Sequence, residues 1–222
     1  MASSLPAARS RSDWLSLLAR APRVIPGTPE EIYRDAQSLA SLLPEHGLLL
    51  PGQRVLDFGC GIGKLAIPLT ERSLEYAGVD VRRDCIAFCG ETFAPWPHLS
   101  FRCVPVRNAY YSRWAWTSPA KLVLPYADRS FDAAVAISVF THLETEKICL
   151  RALGEIRRVL RPAGRLFSTW FRSPPNPLSR DPARRVYPEQ DIRRMLGCGF
   201  EIRTSMGGAS TGHDDQWCIV AS

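Results

Sequence analysis

The sequence predicts an α/β fold, and three observations carry that prediction. Apolar, β-branched runs recur along the chain at 55–58, 76–79, 99–104 and 133–137, with the length and character of buried parallel strands. Between them lie stretches whose apolar residues recur at helical spacing, the alternation that builds a parallel sheet covered by helices. The 222 residues, 45% of them apolar, suffice for one such domain with a modest appendage.

The first strand and the glycine turn after it organise the rest. In RVLDFGCGIGKLAI, residues 54–67, a strand with one polar residue, Asp57, runs into Gly59, Gly61 and Gly63 and then into Leu65, Ile67 and Leu69 at the start of a helix. Glycines allow positive φ and let backbone N–H groups approach a ligand closely. A dinucleotide fingerprint needs G-x-G-x-x-G, but the slot for its third glycine holds Lys64. A G-x-G-x-G turn with an acid two residues ahead suits a ligand that lacks a pyrophosphate and carries a cationic amino group. The second strand, Tyr76–Asp80, ends in another acid, roughly twenty residues on, where such folds set a carboxylate against ribose hydroxyls.

These segments resemble motifs I and II of the class I S-adenosylmethionine (SAM) dependent methyltransferases. LPYADRSFD (residues 124–132) is similar to the segment that introduces the family's fourth strand, and SVFTHL (138–143) to a turn of one bacterial subgroup, in the manner of the type 11/12 members. RVLRPAGRLFSTW, residues 158–170, is similar to the family's R-x-L-x-P-G-G segment, with Ala163 in place of a glycine. The resemblance implies a doubly wound, Rossmann-like, seven-stranded and mostly parallel sheet with helices on both faces and a C-terminal antiparallel hairpin. It implies SAM as cofactor, held by Asp57, Gly59, Cys60, Gly61 and Gly63 at its methionine end and by Asp80 and Val81 at its nucleoside. The family often carries an adenine-reading acid after the third strand; this chain has Pro105, Val106 and Arg107 there, so Asn108 or backbone about Ala109 is the expected substitute. Ser138, Phe140 and His142 are expected to edge the methyl-transfer site.

Taken in order, residues 1–27 are expected to form an N-terminal arm and 28–222 the methyltransferase domain. Met1–Arg23 is rich in Ser, Ala and Arg, with Asp13 its only acid. That is also the composition of a mitochondrial presequence, but a short helix around Trp14, Leu15, Leu17 and Leu18 is the favoured reading. Thr28, Pro29 and Glu31 form a capping box that opens a helix with Ile32, Ala36, Leu39, Ala40 and Leu43 inward. A helix over Leu65–Arg72 comes after the glycine turn; the next turns Cys85, Ile86, Phe88, Cys89 and Phe93 inward. Tyr110, Tyr111, Trp114 and Trp116 form an aromatic insertion that either walls the pocket or packs beneath its own loop. Residues 144–160 read as an amphipathic helix, 165–171 as a fifth strand, 171–187 as a Pro/Arg-rich loop of the kind that closes over sites, and 188–196 as a last helix. Strands at 200–204 and 216–221 close the chain.

His142 is the leading general base, because imidazole is the side-chain type suited to proton transfer near neutral pH; its alternative is a backbone hydrogen bond at a strand-to-helix turn. His213, Asp214 and Asp215 either orient an acceptor or form an exposed turn. No metal-ligand spacing appears, and the seven cysteines lack CxxC pairs, so buried thiols in a reducing, cytoplasmic compartment are expected. No apolar run approaches the ~20 residues of a membrane span. The net charge of +6 is mostly scattered arginine. The expected activity is methyl transfer to an O or N acceptor on a small molecule or glycan-type substrate. An RNA or protein methyltransferase, or a non-catalytic SAM-fold interaction module, is the alternative; Lys64 undercuts a nicotinamide oxidoreductase.

Overall fold

A computed structural model describes residues 9–171, 185–207 and 216–222. Helices α1 (Arg11–Leu18) and α2 (Pro29–Leu42) precede β1 (Arg54–Phe58), β2 (Glu75–Asp80), α3 (Arg83–Thr92), β3 (Leu99–Cys103), β4 (Phe131–Ala136), α4 (Glu146–Val159), β5 (Leu160–Phe171), α5 (Glu189–Gly197), β6 (Ile202–Gly207) and β7 (Gln216–Ala221). The seven strands form one sheet in the order β3-β2-β1-β4-β5-β7-β6. β1 through β5 pair in parallel, and β7 is inserted antiparallel between β5 and β6. The predicted doubly wound sheet and its closing antiparallel hairpin are therefore present, with strand order reversing between β1 and β4.

Strand periodicity divides the apolar side chains between two cores. Leu56, Phe58, Ala134 and Ala136 face α4 and α5, where they meet Ile156, Val159, Ile192 and Leu196. Val55, Tyr76, Ala133 and Val135 belong to the other layer with α1, α2 and α3. The capping box on α2 forms as expected: the Thr28 side chain accepts from the Glu31 N–H while Glu31 accepts from the Thr28 N–H. Trp14 and Leu18 of α1 are buried in the second core, where Trp14 packs on Phe93 and stacks on Trp96 at 5.8 Å between ring centres.

Two local predictions need correction. The segment after the glycine turn is a short 3₁₀ helix, Lys64–Leu69, rather than an α-helix to Arg72. Pro68 within it has no N–H to donate, which prevents an α-helix from propagating. β5 begins at Leu160, five residues earlier than expected, and its bend contains Ala163 at φ 61, the left-handed conformation for which the family segment keeps glycine. Residues 172–184 of the Pro/Arg-rich loop, and His213, Asp214 and Asp215, lie outside the described residues.

Candidate active site

The carboxyl ends of β1, β2 and β4 meet where the strand order reverses, which is where open α/β sheets bind ligands. A cavity of about 300 Å³ opens there. Gly59, Gly61 and Gly63 all take positive φ, at 82°, 53° and 74°. Two of them are needed for packing. A Cβ on Gly59 would lie 2.4 Å from Val139, and one on Gly63 would lie 2.7 Å from Phe93. Gly61 differs: a Cβ there meets nothing closer than Val24 at 3.8 Å, and all of these residues except Gly63 and Phe93 line the cavity. Its missing side chain leaves room for something other than protein.

Two carboxylates flank this opening. Asp57 is buried, and its Oδ2 accepts from the Tyr76 hydroxyl at 2.6 Å. Burial, reinforced by the nearby Asp80 charge, pushes its pKa up to about 7 against the pull of the Tyr76 bond and of Lys64. Lys64 is itself buried, 3.8 Å from Asp35, and desolvation holds its pKa below the usual lysine range. Asp80 accepts the Gly61 N–H on Oδ2 at 2.8 Å and the Arg82 N–H on Oδ1 at 2.9 Å. The second acid thus shapes the turn, and each oxygen keeps lone-pair capacity for a ligand hydroxyl. Burial raises its pKa as well. Cys60 and Val81 also line the cavity.

The Asn108 side chain serves the loop that carries it. Its Oδ1 accepts the N–H groups of Tyr110 and Tyr111, and its Nδ2 donates to the His142 carbonyl at 3.0 Å. Asn108 reaches the cavity but Ala109 does not line it; the Ala109 N–H instead donates to Glu144 Oε1 at 2.7 Å. The wall at this end is apolar, made of Val81, Val104 and Val106.

At the end of β4, Ser138 takes φ 55, unusual for a residue with a side chain, and its N–H donates to Thr169 Oγ1 at 2.7 Å. The left-handed step turns the chain into a 3₁₀ helix, Phe140–His142. As a result Ser138, Val139 and His142 face the cavity while Phe140 points away from it. Phe140 is fully buried, stacked on Trp170 at 4.3 Å and 4° between planes, so it supports the site from beneath instead of edging it. The His142 ring stands edge-on to Tyr111, whose hydroxyl lies 3.4 Å from Nε2.

The aromatic insertion takes neither expected course throughout. Tyr111 lines the cavity, but Trp114 and Trp116 are 89% and 99% exposed. Sequence reading also missed Val24, Ile25 and Pro26, which close the cavity from the N-terminal side. Their signal is a short apolar run between polar stretches, legible only once the fold brings it over the glycine turn. Among the described residues no cluster of His, Cys, Asp or Glu is placed to hold a metal ion, and no helix is long and apolar enough to cross a membrane.

Comparison with known proteins agrees with this geometry. The chain is 32% identical over 116 residues to an O-methyltransferase of Aspergillus nomiae, an alignment that takes in 52% of this chain and 45% of that protein. The chain therefore spans less than half the length of this fungal relative. Among solved structures, a protein from Pyrococcus horikoshii superposes with a TM-score of 0.65 at 19% identity, over 87% of this chain and 91% of the other. A 1,6-didemethyltoxoflavin-N1-methyltransferase from Burkholderia thailandensis, solved with that compound and S-adenosylhomocysteine, gives 0.62 at 18% identity over 95% and 85%. The methyltransferase domain family model matches residues 56–168, from β1 into β5 and about half of the chain. The chain belongs to the class I SAM-dependent methyltransferase family.

Proposed function

We propose that the protein transfers a methyl group from SAM to an oxygen or nitrogen of a small-molecule or glycan-type acceptor. The observation that carries this reading is the Gly61 opening between the buried Asp57 and the half-buried Asp80. SAM supplies a methyl on a sulfonium, open to in-line displacement. Asp57 offers negative charge to the cofactor's ammonium, and Asp80 offers acceptors to vicinal hydroxyls. Val81, Val104 and Val106 give a flat ring an apolar wall. Orientation by such a frame supplies much of the rate in displacements of this kind, up to ~7–11 kcal/mol in the best cases. His142 stands on the rim, where imidazole can take the acceptor's proton.

The name of one relative, an O-methyltransferase, supports transfer to oxygen, while others that match are named probable tRNA methyltransferases and favour the RNA alternative. Isothermal titration with SAM and with S-adenosylhomocysteine tests the reading. Binding of both in one cavity is expected, and absence of heat with either overturns it.

A further inference from the structure

We propose that the loop 105–123 is a docking surface for an anionic lipid bilayer. The loop leaves β3 and returns to the cavity wall, and it holds Arg107, Arg113 and Lys121 with no acid. Its side chains divide by direction. Val106, Arg107, Asn108, Tyr111 and Leu122 line the cavity, whereas Trp114 and Trp116 stand almost wholly in water, joined by Val123 at 60% and Tyr110 at 43% exposure. Most of the other large apolar side chains that line the cavity are packed into one of the two cores, which makes a pair of solvated indoles an expensive arrangement unless something covers them.

Exposure this complete selects among partners. Sites that stack bases on aromatic rings are grooves, and a groove shields its rings. A ring that is 99% exposed projects from the surface, as an interfacial anchor must. Indole suits the bilayer interface because it combines a large apolar body with one N–H that stays at headgroup level. The aliphatic Val123 has no use in stacking but does in an acyl boundary. Arg113 and Lys121, both exposed and outside the cavity lining, complement anionic headgroups, and each basic side chain near such a surface raises affinity roughly fivefold. Docking there would bring the cavity mouth to the lipid, from which an amphiphilic acceptor could enter. That last step rests on the methyltransferase reading; the docking itself does not.

The test uses the full chain with vesicles of phosphatidylcholine, alone or mixed with phosphatidylglycerol, read by co-sedimentation and tryptophan emission. Expected are association with the anionic vesicles, weakening as salt rises, and a blue shift. The Trp114→Ser/Trp116→Ser double variant should bind at least about tenfold more weakly and lose the shift. Arg113→Gln/Lys121→Gln should lose about 25-fold on anionic vesicles. Titration with SAM shows that each variant is folded, since none of these four residues lines the cavity. No association with anionic vesicles overturns the proposal, as does undiminished association of the tryptophan variant. Retention of single-stranded RNA through the same tryptophans without vesicle binding, or tryptophan-dependent self-association, overturns it in favour of another partner. Vesicle binding by a chain that takes up no SAM would keep the docking surface and remove the functional reading.

Discussion

The three turn glycines share a conformation but not a purpose, and substitution should separate them. A side chain at Gly61 meets open cavity instead of protein, so Gly61→Val should leave the protein folded, at a backbone cost of about 1–3 kcal/mol for a β-branched residue at positive φ. SAM binding should weaken by at least about a hundredfold, or ~2.7 kcal/mol, measured by titration calorimetry. Asp57 makes a second prediction. Its folded-state pKa of about 7 lies above its ordinary 3.8, so between those values the folded protein holds a proton that the unfolded chain has released. This group's favourable contribution is therefore complete below about 3.8 and is lost as pH rises to about 7. An arriving ammonium reverses the preference and expels the proton, so SAM affinity should climb by up to about tenfold per pH unit toward 7 and then level off. Asp57→Asn should flatten that profile. His142→Ala should slow turnover by about 10²–10⁴-fold with little change in SAM affinity. Unchanged rates at all pH values would assign the imidazole to the Tyr111 contact alone.

At the scale of elements, what the sequence revealed was local and what it concealed was directional. β1, its glycine turn and the Thr28 capping box are written in contiguous residues whose conformational demands are met within a few positions, so they could be read directly. Phe140 could not, because its direction depends on Ser138 taking a left-handed conformation that its side chain does not announce. Nor could Asn108, whose amide serves a turn formed only when residues 108–112 fold on themselves. The role of Val24 and Ile25 depends on α1 being anchored far from them in sequence. Trp14 is that anchor, held among Phe93, Trp96 and the guanidinium of Arg9. Trp14→Ala should destabilise the protein by about 3–5 kcal/mol in denaturant titrations. It should also expose residues 19–27 to protease and weaken SAM binding, because the segment that closes the cavity would lose its hold.

For the whole molecule, a ligand that binds only the folded state stabilises it by mass action. S-adenosylhomocysteine at about a hundred times its Kd should add ~2.7 kcal/mol and raise Tm by roughly 5–11 °C for a domain of this size, by differential scanning calorimetry. The sheet keeps two oily layers apart along its length, one with α4 and α5 and the other with α1 to α3. At the cavity both layers come to the same edge: Val104, Leu122 and Ala152 arrive from one side, and Leu65, Cys85 and Ile25 from the other. A guest lodged there is a rivet through both plates, so the loaded protein should melt as a single piece even under conditions where the empty one loosens a layer at a time.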